Sequence, residues 1–137
     1  MYHPWRAARD RAHLTIAFRG DTDCRRGRIE GDTIEIADRQ LQAERRCTLT
    51  HELVHDERRV FPRDSVLRAR EEVTVERIAA RRLVALEQLV DVLRWTRDTA
   101  EAADELWVDM PMFLALVASL SDDERAWIDE QLEGDAA

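Results

Sequence analysis

Lysine and asparagine are absent from the 137 residues, so all 21 basic side chains are arginine. The codons of both missing residues are A-rich, which points to a genome rich in G and C rather than to a function. Only two cysteines are present, Cys24 and Cys47. That is too few for a secreted disulfide framework, so free thiols in a reducing compartment are expected. No apolar run approaches the roughly 20 residues that cross a bilayer, and residues 1–6 lack the apolar stretch of a signal peptide. A cytoplasmic location is the expectation. Positive charge is also in deficit, with a net charge of −8. This argues against general nucleic-acid binding, which relies on basic surface to displace counterions. It suits an acidic soluble protein, and leaves room for a basic protein partner.

What is present describes one globular domain. Hydrophobic residues make up 45% and charged residues 36%, and the length suffices for a modest core. The run His13-Leu14-Thr15-Ile16-Ala17-Phe18 alternates as a half-buried strand. Gly20-Asp21-Thr22-Asp23 has turn chemistry. Arg28-Ile29-Glu30, Gly31-Asp32 and Thr33-Ile34-Glu35-Ile36-Ala37 predict a hairpin with Ile34 and Ile36 on one face. From about 39 to 57 the period becomes helical, with Leu41, Leu49, Leu53 and Val54 turned to the core. The stretch Arg58 to Pro62 ends that helix, with Pro62 as a breaker. Asp64 or Ser65 then caps a helix running through Ile78, Ala79, Leu83 and Leu86. Asp109 before Met110-Pro111 and the box Ser121-Asp122-Asp123-Glu124 mark two later helix starts. The division is about 1–37 for helix or coil and a small antiparallel or mixed sheet, 38–88 for site-bearing helices, and 89–137 for a helical remainder. The class is α+β.

One constellation carries chemistry. Thr48-Leu49-Thr50-His51-Glu52-Leu53-Val54-His55 contains HExxH. Residues four apart on a helix differ by about 40° in azimuth, so His51 and His55 leave one face a turn apart. Two neutral imidazole nitrogens can then fill two corners of a zinc tetrahedron. Glu52 lies beside them, placed to accept a proton from the water at the fourth corner. The metal lowers the pKa of that water and polarises the scissile carbonyl. HExxH also arises by chance on charged helices. Here the intervening Leu53 and Val54 make the helix half buried, which a purely solvated helix would have no reason to be.

A third ligand is required. The remaining histidines, His3 and His13, both lie upstream, and there is no HExxHxxGxxH. The other standard solution is a glutamate from a following helix, for which Glu71, Glu72 and Glu76 are candidates. Glu72 lies 17 positions after His55 (72 − 55), enough for a turn and an antiparallel return. Glu72 and Glu76 share a face, so one can bind metal while the other orients a histidine. Taken apart from HExxH, Glu71 and Glu72 read as surface charge paired with Arg68 and Arg70. Cys47 sits one turn before His51 on the same face. A thiolate there would approach the metal, but a small buried core residue is the favoured role.

The segment 41–55 followed by Glu71-Glu72-Val73-Thr74-Val75-Glu76-Arg77-Ile78-Ala79-Ala80-Arg81-Arg82-Leu83-Val84 resembles the ImmA/IrrE family of zinc metallo-endopeptidases, particularly its short actinobacterial and phage members. The family pairs HExxH with a helix of the form E-x-x-[AV]-[DN]-x-x-A-A-x-x-L. By that resemblance Glu72 falls on the metal-binding glutamate, Val75 on the small apolar position, and Ala79, Ala80 and Leu83 on packing positions. Glu76 stands where the family has aspartate or asparagine, beside the metal ligands. The likeness covers roughly residues 10–120. It implies a gluzincin-like fold, Zn²⁺ as cofactor, and a regulatory role: inactivating a helix-turn-helix repressor in a prophage, mobile-element or stress switch, in the host cytoplasm if phage-encoded.

Two other classes stay in view. A non-catalytic metal-binding protein would sequester a repressor without cutting it. A DNA-binding regulator is suggested by the helix-turn-helix cadence of residues 100–120, but residues 110–120 offer no arginine, asparagine or glutamine to a base or phosphate. Trp107, Met110, Met112 and Phe113, together with Trp95, Trp127 and the run Leu89-Val90-Val92-Leu93, are expected to pack in the core rather than form a partner patch. The oligomeric state is not legible in the sequence.

Overall fold

Three strands gather at the N-terminal end of the chain, and each follows its side-chain pattern. The computed structural model describes residues 1–20 and 26–135; Asp21, Thr22, Asp23 and the expected free thiol Cys24 lie outside the described residues. A first helix, α1 (Pro4–Arg9), starts on a proline, whose fixed φ suits a first turn. Strands β1 (Thr15–Arg19), β2 (Gly27–Glu30) and β3 (Thr33–Ala37) form a mixed sheet in the order β1-β3-β2. β2 and β3 are the expected hairpin, paired antiparallel with Ile29 opposite Ile34. Gly31 supplies the left-handed turn at φ +59°. β1 pairs parallel with β3, so the sheet is mixed and β3 is its centre. Ile34 and Ile36 are fully buried on one face.

Helix α2 (Gln42–Arg58) lies against that face and ends at Arg59, which takes the left-handed conformation at φ 52°. Its stop falls within the expected stretch Arg58 to Pro62. Leu49 and Leu53 meet Ile34, Ile36 and Ala8 in a small cluster on the sheet side. Cys47 and Val54 face the other way, into a larger core shared with the remaining helices. Leu41, expected in the core, is instead 73% exposed. It sits just before the helix, and its own N–H is held by Glu44 Oε1 at 3.1 Å.

Helix α3 (Ser65–Leu83) is capped by Asp64, whose Oδ1 accepts the N–H groups of Val66 and Leu67 at 3.0 and 2.9 Å. It stops at Leu83 rather than continuing to Leu86; Val84 and Ala85 are extended, and α4 (Leu86–Leu93) starts afresh. Then come α5 (Thr99–Glu105), α6 (Met110–Ser119) and α7 (Asp122–Asp135). Asp109 and Ser121 cap as expected, with Ser121 and Glu124 exchanging reciprocal bonds. Met112, Phe113 and Leu116 of α6 are buried, and the helix packs on α3. Trp95 and Trp107, expected inside, are more than half exposed, whereas Leu89, Val90 and Val92 are buried. Trp107 closes α5 at φ 58°, with Val108 N–H bonded to Ala103 O and its own N–H to Asp104 O. This is the helix-ending turn that normally takes glycine. Among the described residues no helix is long and apolar enough to cross a membrane.

Candidate metal centre

The two faces of α2 explain where the centre lies. Leu49 and Leu53 hold the helix to the sheet, Val54 holds it to the helical core, and the face between them carries His51, Glu52 and His55 along the seam. α3 returns across this seam and brings Glu72 opposite the histidines. His51 Nε2 lies 2.9 Å from Glu72 Oε2, His55 Nε2 lies 2.8 Å from Glu72 Oε1, and the two Nε2 atoms are 3.1 Å apart. Four ligands at 2.0–2.1 Å around a tetrahedral ion stand about 3.3–3.4 Å from one another. The two nitrogens and the nearer oxygen of Glu72 at each ring thus stand a few tenths of an ångström inside that spacing. The Glu72 carboxylate bridges the two imidazoles, and the three side chains form a group whose donor atoms lie close enough together to hold a metal ion. The donor set fits a divalent zinc-like ion.

Around these atoms the other expected residues take distinct places. Glu76 Oε2 lies 2.9 Å from His51 Nδ1, on the side of the ring away from Glu72. Glu71 is not beside the histidines. It turns from them to take two bonds from Arg58, at 2.7 and 2.9 Å, and is buried. This corrects the pairing with Arg68 and Arg70 expected from helical spacing; Arg58 reaches Glu71 because α2 and α3 are antiparallel neighbours. Cys47 is a buried core thiol, as favoured, pushed up to about 12 by burial and by the Asp109 carboxylate. It accepts the Asp109 N–H at 3.5 Å.

The electrostatics separate the acids by surroundings. Burial pushes the Glu52 carboxyl up, against the pull of His51 and His55, so it holds a proton more readily than a surface glutamate. Hydrogen bonds from His51 and His55 hold Glu72 far below the usual carboxylate range. Burial alone would lower His51, but Glu72 and Glu76 outweigh it and raise the imidazole to about 10. Glu72 is thus the ionised carboxylate facing both imidazoles.

A cleft of about 750 Å³ opens over the centre. Its floor is α2. One wall is β2 with Gly27 and Ile29, and the other is the loop of Val60 and Phe61 with Arg68 above it. Phe61 stacks on His55 with ring centroids 6.1 Å apart. Two contributors escaped the sequence argument. A Cβ on Gly27 would stand 2.4 Å from Thr48 Cγ2 and 3.8 Å from Glu52 Cγ, so only glycine lets β2 come this close to the helix. Its signal was a glycine at the head of an apolar alternation. The second is Asp56, directly after His55, which is buried and held by Arg11, His13 and Arg59. Arg59 also reaches Asp32 and the Gly31 carbonyl at 2.8 and 2.9 Å, tying the hairpin to the end of α2. Nothing in the local spacing foretold it.

No family model, curated protein or solved structure matches the chain.

Proposed function

We propose that the protein is a zinc-dependent endopeptidase of gluzincin-like arrangement, with His51, His55 and Glu72 as ligands and Glu52 as the proton carrier. The observation that carries this is the approach of both imidazole Nε2 atoms and the Glu72 carboxylate to contacts of 2.8–3.1 Å, beside a buried glutamate on the cleft floor. Zinc, when bound, supplies the Lewis acidity that polarises a peptide carbonyl and acidifies water. The chain's own groups do the rest. Glu52 takes a proton from the attacking water on its carboxylate and returns it to the leaving amine; its raised pKa suits both transfers. Glu76 steadies the His51 ring from behind. The outer edge of β2, at the border of the sheet and along the cleft, offers backbone groups to an extended substrate chain. The regulatory target, a helix-turn-helix repressor, rests on the family resemblance alone.

The test is zinc content and cleavage measured together. Purified wild-type protein is expected to hold about one zinc per chain and to cut a co-expressed repressor. Glu52→Gln is expected to keep the zinc and lose the cut. A Glu52→Gln protein that still silences the repressor would make this a sequestering protein, and a chain that takes up no zinc would end the peptidase proposal.

A further inference from the structure

The first turns of α3 are covered by no other element among the described residues. Every residue from 63 to 70 is exposed, and burial of this helix begins only at Glu71. A helix that packs on nothing is normally polar all round. This one is not. Val66 is 58% exposed and Leu67 49%, and they follow Val60 and Phe61 of the preceding loop, which are also exposed. Further along, Val66, Arg70, Val73 and Arg77 fall at successive positions of one helical stripe, all exposed. Five of the 12 large exposed apolar side chains of the described residues fall between 60 and 73.

The charges there run against the rest of the molecule. Residues 58–70 hold five arginines and one aspartate in a chain of net charge −8. Arg58 and Arg59 are occupied by Glu71 and Asp56. Arg63, Arg68, Arg70 and Arg77 form no ion pair among the described residues; the Arg68 guanidinium reaches only the carbonyl of Arg63, at 3.0 Å. The carboxylates that helical spacing offers to Arg68 are taken, Asp64 by the N–H groups of Val66 and Leu67, Glu71 by Arg58 and Glu72 by the histidines. Arg68 also lines the cleft, so this surface runs into the mouth of the candidate centre.

We propose that the projecting end of α3, with the loop before it, is a docking surface for an acidic segment of the substrate protein that carries apolar side chains. Charge complementarity selects the occupant. A second copy laying the same face on this one would set arginine against arginine. Nucleic acid would gain nothing from Val66, Leu67 and Val73 and would be repelled by the acidic remainder. An acidic partner segment satisfies the four arginines and covers the apolar side chains between them. It lies beside the cleft and so raises the local concentration of the bond to be cut. The proposal rests on the endopeptidase reading for its purpose but not for its binding.

The test uses the full chain and fluorescein-labelled peptides of about 14 residues, read by anisotropy at low and moderate salt. One peptide interleaves Glu and Asp with Leu and Phe, a second replaces the acids by Lys, and a third replaces the apolar residues by Ser. The first is expected to bind at least about tenfold more tightly than either control. Its affinity should fall by a similar factor in Arg63→Glu/Arg70→Glu and in Val66→Ser/Leu67→Ser, with the zinc content of both variants unchanged. Equal binding of all three peptides, or unaltered binding by either variant, overturns the proposal. So does tighter binding of duplex DNA, or a wild-type dimer that the charge reversal dissociates. Absence of zinc from the wild type would sink the peptidase reading and leave this peptide measurement standing.

Discussion

Helices α2 and α3 supply the candidate centre together, yet they sit in the molecule in opposite ways. α2 is enclosed from Arg46 to Asp56, with sheet on one side and helices on the other, and His51 alone in that stretch keeps some exposure. α3 is bare over its first six residues and enclosed only where it carries Glu71, Val75, Ala79 and Leu83. Enclosure presses the polar groups of α2 toward partners, and several find one. Thr50 gives its hydroxyl to Arg46 O at 2.8 Å, Asp56 is ringed by cations, and Arg46 reaches the carbonyls of Leu83 and Trp107. The side chains left aimed at one another are the two histidines. α3 is under no such demand in its first turns, and what it displays there is free to serve another molecule. The enclosed helix thus sets the bearing of the two histidines, and the half-free helix brings Glu72 opposite them and shows an uncovered face.

That contrast can be broken by substitution. Leu53→Ala, at a site 1% exposed, is expected to cost about 2–5 kcal/mol in urea unfolding. Leu67→Ala, half exposed on the projecting end of α3, should change stability by about 0.5 kcal/mol or less. Comparable losses at the two sites would mean that the end of α3 is covered in solution. Next in size, Glu72→Ala should lower zinc affinity more than about a hundredfold, read by competition with a chromophoric chelator, and Glu76→Ala about 10–100-fold. Glu71→Ala should leave affinity nearly intact and weaken only the Arg58 contact. A larger loss at Glu71 or Glu76 than at Glu72 would refute the ligand assignment.

A smaller effect concerns the turn that Arg46 clamps. Trp107→Gly removes a left-handed tryptophan that is 59% exposed, and should raise stability by about 1 kcal/mol in thermal unfolding. A loss instead would show that the exposed indole packs. The smallest effect is a slope with pH. Arg81, on the enclosed part of α3, together with the Ser121 N–H, holds Glu124 down to about 2. A depressed carboxylate gives its stabilisation in full above the unfolded value near 4.5, and loses it as pH falls toward 2. The urea midpoint should therefore decline across that window, and Glu124→Gln should flatten part of the decline. A slope unaltered by that substitution would leave the Arg81 pair without weight.

The parts visible in the sequence were those whose cause is local. HExxH declared its own geometry, because a helix fixes the bearing of His51 and His55 without any help from the fold. The hairpin turn at Gly31, the caps at Asp64, Asp109 and Ser121, and the burial of Ile34 and Ile36 were legible for the same reason. Glu72 could be narrowed to three acids, but separating it from Glu71 needed the crossing of α2 and α3, which spacing alone does not fix. The parallel pairing of β1 with β3, the approach allowed by Gly27 and the anchoring of Asp56 were illegible, since each depends on residues 18 to 45 positions apart that only the folded chain unites. Leu41, Trp95 and Trp107 misled because apolar character raises the odds of burial without requiring it.

The order β1-β3-β2 also sets which part of the sheet lets go first. β2 and β3 are joined by a two-residue turn, a hairpin of the kind that closes within microseconds, whereas β1 pairs with residues 18 positions further along the chain (33 − 15). No residue of β1 is fully buried, while β3 buries Ile34 and Ile36 completely. Amide protons of β1 should therefore exchange with deuterium well before those of β3, as an opening that spares the hairpin. Arg11 and His13, fastened to Asp56, limit how far the loosened strand travels. Each such opening bares the inner edge of β3, so the sheet carries a second, intermittent strand-binding edge on the side away from the cleft.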